Sequence, residues 1–183
     1  DAVKFLMKAK KPLIWAGGGV LMSGASKELK KLVEFTGIPV FTTMQGKSAF
    51  DERHPLSLGA GCGTTTLAAH NWLKNSDVVL VLGSSLTRTP YGQVLSSEKT
   101  LLHNTIDPKD LNKDESAMVG LVGDTKLTLL ALIEEFKTEG FKKDNGEVTQ
   151  IKKEINVLKK KWMQDWNPIL NSCLLYTSPS PRD

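Results

Sequence analysis

The sequence predicts an α/β fold in which a parallel sheet is covered by helices on both faces. Two apolar runs, LIWA at 13–16 and DVVLVLG at 77–83, have the length and composition of strands buried on both sides. Between them lies SKELKKLVEF, in which Leu29, Leu32 and Val33 recur at helical spacing. Strands that alternate with helices imply right-handed βαβ crossovers, and such crossovers produce a parallel sheet.

The other elements follow in the same alternating order. A helix ends at Ala9, and Gly37 stands where a C′ glycine ends the helix before IPVFTT (38–43), the second predicted strand. Asp124 is a suitable N-cap for the last helix of the sheet domain. The remaining predicted elements are a loop at 45–58, a glycine-rich segment leading into a helix at 59–73, a turn-rich loop at 84–92, strands at 100–107 and 118–122, and that last helix at 125–136.

Composition and charge exclude several classes of protein. With 183 residues, 40% of them hydrophobic and 24% charged, the chain has the composition of one globular domain with an appendage. No apolar run approaches the length of a membrane span. The segment 141–163 holds seven lysines and three acidic residues, an excess equal to the formal net charge of +4. A confined lysine-rich helix without a nucleic-acid-binding motif favours a solvated face over a nucleic-acid partner.

Neither the cysteines nor the histidines indicate a metal centre or a nucleophile. The last eleven residues, CLLYTSPSPRD (173–183), resemble a translated sequencing-library adapter, so we expect them to be an artefactual tail that carries Cys173. The other cysteine, Cys62, lies among glycines without a nearby His or Asp in the sequence. One cysteine provides neither a disulfide framework nor a Cys-based zinc site. The three histidines show no metal-ligand spacing and are predicted to be structural (His54, His70 and His103).

A second kind of element follows a polar linker at 137–146. Its apolar residues are spaced three and four apart, which is an a/d stripe of about two heptads. We expect this short stripe to pack on a neighbouring domain, with 138–172 forming a linker and an amphipathic helix that lead to a third domain. The stripe consists of Val148, Ile151, Ile155, Leu158 and Trp162.

Three consecutive glycines, Gly17, Gly18 and Gly19, follow the first predicted strand. They do not form the dinucleotide fingerprint G-x-G-x-x-G, because the next glycine is Gly24. Two interpretations stay open from the residues alone. The glycines form a ligand-facing loop in the crevice of an open α/β sheet, or they form a tight strand-to-helix corner.

Four segments together resemble the central domain of thiamine-diphosphate-dependent decarboxylases and carboligases, and in particular that of acetolactate synthase large subunits. They are 10–43 (KKPLIWAGGG…VFTT), 45–59 (QGKSAFDERHPLSLG), 77–85 (DVVLVLGSS) and 106–127 (IDPKDLNKD…VGDTKL), in collinear order. The resemblance implies that 1–137 is a six-stranded, Rossmann-like domain of the DHS-like NAD/FAD-binding type.

The resemblance also implies a three-domain, cytoplasmic enzyme that acts on a 2-oxo acid and forms a homodimer or homotetramer. Thiamine diphosphate and Mg²⁺ would be bound by the domains that this sequence lacks. No residue of this chain is therefore predicted to be catalytic, and the fragment alone is predicted to be inactive.

The site residues implied by the resemblance are those of an accessory nucleotide crevice, which holds FAD or ADP in some members and is empty in others. Where the family reads G-A-R-F-D-D-R, this sequence has Gly83 followed by SSLTRT, so Ser85 replaces the arginine beside the flavin's diphosphate part. Where the family reads H-I-D-I-D-P, Thr105 replaces the first acid and Asp107 keeps the second. Each lost contact costs about 1.5–3 kcal/mol, which argues against FAD. The candidate cofactor-binding residues are Gly17, Gly18, Gly19, Gly83, Ser84, Ser85, Arg88 and Asp107.

Arg88 has two interpretations, as a diphosphate ligand together with backbone N–H groups at 83–85, or as a residue of a solvated loop. Three alternative functions are also considered. Another thiamine-diphosphate-dependent decarboxylase or acyltransferase would fit the same residues. A sirtuin-like NAD-consuming deacylase would need a four-cysteine zinc site. A stand-alone nucleotide-binding or structural module would not need the segment WNPIL (166–170), which resembles the lead-in to a third domain.

Overall fold

A computed structural model of the chain describes residues 1–88, 95–96 and 98–172. The adapter-like tail at 173–183 and part of the loop predicted at 84–92 lie outside the described residues. The strands are β1 (Leu13–Ala16), β2 (Val40–Thr42), β3 (Ser57–Ala60), β4 (Val78–Leu82), β5 (Thr100–Thr105) and β6 (Val119–Val122). The helices are α1 (Ala2–Lys8), α2 (Gly18–Met22), α3 (Ser26–Thr36), α4 (Leu67–Asn75), α5 (Thr125–Thr138) and α6 (Asn145–Leu170), with a 3₁₀ turn at Pro108–Asp110.

The six strands form one parallel sheet in the order β3-β2-β1-β4-β5-β6. The predicted α/β class with a six-stranded parallel sheet is therefore confirmed. The strand order reverses between β1 and β4, where Leu13 pairs with Val79 and Trp15 pairs with Val81. Every residue of these two strands is buried, as the apolar runs LIWA and VVLVL predict. The reversal leaves a crevice beside the carboxyl ends of β1 and β4.

The helices pack in two groups. α1, α2 and α3 each contact α5, while α4 contacts α6 and β3. The predicted helix ends are confirmed at two positions. Gly37 takes a left-handed φ of 80° at the end of α3, and the Asp124 carboxylate accepts a hydrogen bond from the Leu127 amide at 3.0 Å. None of the helices in the described part of the chain has both the length and the apolarity that a bilayer span requires.

Two elements are absent from the sequence prediction. β3 reads SLGA, which is too short and too poor in β-branched residues to be recognised locally, and it becomes a strand by pairing with β2 across an irregular register. The glycine turn runs directly into α2, which precedes α3 as a separate helix of five residues.

Four residues of the a/d stripe, Val148, Ile151, Ile155 and Leu158, pack on the core of this domain, so the expectation that the stripe packs on a neighbouring domain is wrong for them. Val148 and Ile155 are buried, and α6 lies against α4 and β3. A Cβ placed on Gly37 would lie 2.2 Å from Cγ2 of Val148, which shows how closely α6 crosses the end of α3. Lys11 pairs with Glu154 at 2.9 Å. The second half of the helix presents exposed apolar side chains at Met163, Trp166, Ile169 and Leu170.

Candidate functional site

A cavity of about 550 Å³ opens at the carboxyl ends of β1, β2 and β4, beside the point where the strand order reverses. Its wall is formed by Trp15 of β1, by segments 43–45 and 62–63 after β2 and β3, by segment 83–88 after β4, and by Glu115. Ligands of open α/β sheets bind at this location, because the loops diverge there and leave space between them. The described residues contain no group of three His, Cys, Asp or Glu side chains that could hold a metal ion.

The glycine turn is packed backbone against backbone on the loop after β4. The Gly17 amide donates to Leu82 O at 2.8 Å, and the Gly19 amide donates to Gly83 O at 2.8 Å. A Cβ on Gly17 would lie 2.3 Å from Gly83 O, and one on Gly19 would lie 2.7 Å from Gly83 Cα. Gly17 and Gly19 are therefore required by this close approach, and of the three glycines only Gly18 lines the cavity.

Two buried side chains of β5 hold the loop after β4 in place. The His103 Nε2 lies 2.6 Å from Ser84 O, and since a carbonyl oxygen can only accept, Nε2 carries the proton. The Asn104 Oδ1 accepts from the Gly83 amide at 3.2 Å and from the Thr125 hydroxyl at 2.9 Å. Its Nδ2 donates to two backbone carbonyls at the end of β6. This network fixes the cavity wall at 83–84 because each polar group of Asn104 is satisfied.

Arg88 is engaged by acidic side chains. Its Nε donates to Glu115 Oε1 at 2.9 Å, and its backbone amide donates to Asp114 Oδ2 at 2.9 Å. The hydrogen bond to Glu115 raises the pKa of the Arg88 guanidinium above its usual value. The Glu115 side chain is only 11% exposed, whereas that of Arg88 is 65% exposed. The cavity therefore presents an ion pair rather than an unpaired cation.

Trp15 forms part of the floor of the cavity and is 6% exposed. Its ring packs on Phe41 at a centroid distance of 5.0 Å and an interplanar angle of 54°. Its indole Nε1 has no hydrogen-bond partner in the part of the chain that the structure describes. An unsatisfied buried donor is uncommon in folded proteins and requires a physical explanation.

Two non-glycine residues of the cavity wall have left-handed backbone conformations. Cys62 has φ of 80° and Leu86 has φ of 50°. Such conformations cost energy and occur frequently at ligand sites. Burial raises the pKa of the Cys62 thiol to about 12, so the sulfur is protonated near neutral pH. That Cys62 is not a nucleophile stays a prediction.

The structure brings most of the predicted site residues together. Those that line the cavity are Gly18, Gly83, Ser84, Ser85 and Arg88. Gly17 and Gly19 lie behind this wall, in contact with Gly83. Asp107 does not line the cavity. Its carboxylate accepts from the Lys109 amide at 2.9 Å and begins the 3₁₀ turn.

Sequence reasoning missed the other residues of the cavity wall, among them Trp15 and Glu115. Trp15 is the third residue of a strand whose carboxyl end meets the crevice, so its position was predictable from the parallel topology. Glu115 lies in a charged segment 27 residues beyond Arg88 and carries no local signal. Only the tertiary packing brings these two charges together.

An all-parallel sheet in this strand order, with a cavity at the reversal, defines a Rossmann-like α/β domain. Residues 1–132 match the family described as thiamine pyrophosphate enzyme, central domain. The chain belongs to this family.

The relatives that it resembles are consistent with this assignment. The chain is 38% identical over 166 residues to a Methanococcus aeolicus protein named "Probable acetolactate synthase large subunit", covering 87% of this chain and 28% of that protein. It is 34% identical over 142 residues to an acetolactate synthase of Mycobacterium avium, covering 76% of this chain and 23% of that protein. An X-ray structure from Mycobacterium smegmatis, named as a thiamin diphosphate-dependent enzyme, superposes with a TM-score of 0.57 at 26% identity, over 73% of this chain and 27% of the other. The chain thus spans about a quarter of the length of these proteins.

Proposed function

We propose that residues 1–137 are the middle domain of a thiamine-diphosphate- and Mg²⁺-dependent enzyme that decarboxylates a 2-oxo acid and ligates the product to a second carbonyl, as acetolactate synthases do. The family match over residues 1–132 carries this proposal, and the acetolactate synthase names of the relatives support the reaction class. In this proposal residues 138–172 connect to a further domain, and residues 173–183 are an artefactual tail. The protein would be a cytoplasmic homodimer or homotetramer.

The reactive cofactor would be held outside this chain. Mg²⁺ needs oxygen ligands in octahedral geometry, and the described residues offer no cluster of carboxylates that could supply them. Thiamine diphosphate supplies the electron sink for decarboxylation when it is bound by the other domains. The role of the present domain is structural and accessory. Its one described cysteine is a protonated thiol near neutral pH, and its buried His103 is used to hold the cavity wall.

The cavity beside β1 and β4 is proposed as an accessory ligand crevice. Its location at the strand reversal supports this role. The residues proposed to contact the ligand are Gly18, Gly83, Ser84, Ser85 and Arg88, while Gly17 and Gly19 shape the wall from behind. FAD and ADP are the ligands that the sequence resemblance suggests. The paired state of Arg88 weighs against both, since neither diphosphate would meet a free cation there.

The proposal is tested on the product of the longer reading frame that contains this sequence. Purified protein is incubated with pyruvate, Mg²⁺ and thiamine diphosphate, and the release of CO₂ and the formation of acetolactate are measured. We expect both products with the cofactor and neither without it, and no product from residues 1–172 alone. Release of CO₂ without acetolactate would favour a simple decarboxylase. A protein that consumes no 2-oxo acid in the presence of the cofactor would contradict the proposal.

A further inference from the structure

The distal half of α6, residues 162–170, continues the apolar face with which the first half of the helix packs on the sheet domain. Successive residues of an α-helix are rotated by about 100°, and this rotation places the apolar residues of both halves on one side of α6. In the first half the core covers this face, whereas in the distal half Trp166 is 45% exposed and Ile169 is 51% exposed. The residues of the face are Val148, Ile151, Ile155 and Leu158 in the first half and Trp162, Met163, Trp166, Ile169 and Leu170 in the distal half.

A small pocket lies where the distal half of α6 leaves the domain, and its volume is about 190 Å³. Leu58 of β3 and Ala68 of α4 line it from the domain, and Trp162 and Met163 line it from the helix. This is a hole of the kind that receives one aliphatic side chain of a neighbouring helix.

The edge of this pocket carries a positive charge. Lys159 lines the pocket, and its Nζ donates to the backbone carbonyl of Glu52 at 3.0 Å. The Glu52 carboxylate also lines the pocket, but it is paired with Lys47 at 2.6 Å. The pocket therefore combines an apolar hole with a cation that is held by a neutral carbonyl.

A second copy of α6 in antiparallel orientation complements both features. When the two copies of Trp166 face each other across a two-fold axis, Trp162 and Met163 lie opposite the partner's Leu170 and Ile169. The C-terminal end of each helix then reaches the pocket of the other copy, where Ile169 or Leu170 can fill the hole. The last carbonyls of a helix carry partial negative charge, which favours the approach to Lys159 in this orientation. A parallel pair would instead bring the two copies of Lys159 together.

We infer that the distal half of α6 is a self-association surface, through which two copies of this chain form an antiparallel, two-fold symmetric contact. The contact closes on itself, because the same face serves both copies. The distal half is only roughly 13 Å long, so the contact is smaller than the standard interface of about 800 Å² per partner. The dimer is therefore weak, with a dissociation constant on the order of 100 μM. This inference concerns the present domain and does not depend on the reaction of the longer protein.

Sedimentation velocity of the purified chain tests this inference at protein concentrations from about 10 μM to about 1 mM, which bracket the expected dissociation constant. A reducing agent in the buffer prevents disulfide-linked dimers. We expect the weight-average mass to rise with concentration from that of the monomer towards twice that value. Tryptophan emission should shift to shorter wavelength over the same range, because Trp162 and Trp166 leave water when the distal halves pair.

Two variants locate the contact on the distal half of α6. Ile169→Asp places a charge without a partner in the contact, and Trp166→Ala removes the aromatic side chain at the two-fold axis, so each should weaken the dimer by about tenfold or more. Both side chains are exposed, and the circular dichroism spectra of the variants should match that of the unmodified chain. Val157→Asp is the matched control, because Val157 is exposed on the opposite side of α6 and its replacement should leave the dissociation constant unchanged.

Three outcomes would overturn the inference. The chain could stay monomeric at 1 mM, in which case another partner, such as a further domain of the longer protein, covers the distal half. It could form open-ended aggregates in place of a dimer, which a two-fold contact does not produce. Ile169→Asp and Val157→Asp could also affect association equally, which would place the contact elsewhere. None of these outcomes depends on whether the longer protein consumes a 2-oxo acid.

Discussion

Replacing Gly17 by alanine should destabilise the domain through a backbone clash, whereas the same change at Gly18 should not. Gly17 has φ of −90°, which alanine adopts without strain, so any cost at this position is steric. Its added Cβ would lie 2.3 Å from Gly83 O and 2.7 Å from Ser84 Cβ. At Gly18 the nearest atom is Cβ of Gln45, at 3.2 Å.

The magnitude follows from these contacts. Overpacking a tight site costs about 1–3 kcal/mol, and the upper part of this range applies to Gly17 because the clashing atoms belong to the backbone and cannot rotate away. A loss of about 3 kcal/mol lowers the melting temperature of a chain of this length by roughly 6–12 °C. Gly18 lies in the first turn of α2, where alanine is preferred over glycine by about 0.5–1 kcal/mol. This preference offsets the mild crowding against Gln45, so Gly18→Ala should change the free energy of unfolding by no more than about 0.5 kcal/mol.

Urea denaturation followed by tryptophan fluorescence and by far-UV circular dichroism measures both variants. We expect Gly17→Ala to lower the urea concentration at the unfolding midpoint with an unchanged m-value. The denaturation curve of Gly18→Ala should superpose on that of the unmodified chain. Equal stability of the two variants would refute the conclusion that the turn is shaped by close approach to Gly83. A large loss at Gly18 alone would show that the cavity face of the turn, and not its buried face, controls stability.

Three further predictions concern other parts of the domain. Burial acts to raise the pKa of the Asp77 carboxyl, but hydrogen bonds from backbone amides outweigh burial, and the pKa in the folded protein is lowered. Asp77 therefore stabilises the fold above its unfolded pKa of about 3.9, and this contribution is lost as the pH falls through the folded pKa. Asp77→Ala should therefore flatten the loss of stability between neutral and acid pH in urea titrations, and an unchanged pH profile would contradict this. Ile155→Ala should cost about 2–4 kcal/mol because the side chain is 1% exposed, while Val157→Ala, which is 65% exposed, should cost no more than about 0.5 kcal/mol in the same assay. In a Cys173→Ser background, alkylation of Cys62 should keep accelerating with pH up to about 12, and a plateau near pH 9 would refute its raised pKa.

Local patterns were sufficient for the parts of the fold that local physics controls. LIWA and DVVLVLG are buried on both faces, and this is why their continuous apolar character identified them as parallel strands. Gly37 and Asp124 were recognisable because caps have residue-specific geometry. β3 was not, because a four-residue strand containing Ser and Gly is defined by its neighbour β2 and not by its own composition. The packing of α6 on its own domain depends on where a polar linker turns, which composition does not determine.

The candidate site shows the same division, and it explains why the glycine turn alone could not reveal the ligand. Gly17 and Gly19 are required by contact with Gly83, which is a contact within the protein. A glycine signature therefore reports the close approach of two strand-to-loop turns, which any domain of this topology with a narrow crevice needs. Arg88 and Glu115 are the charged side chains among the described residues that line the cavity, and they come from separate loops that no local pattern brings together. It follows that the glycine turn predicts the crevice and its backbone geometry, whereas the charge of the crevice depends on residues that only the tertiary structure brings together.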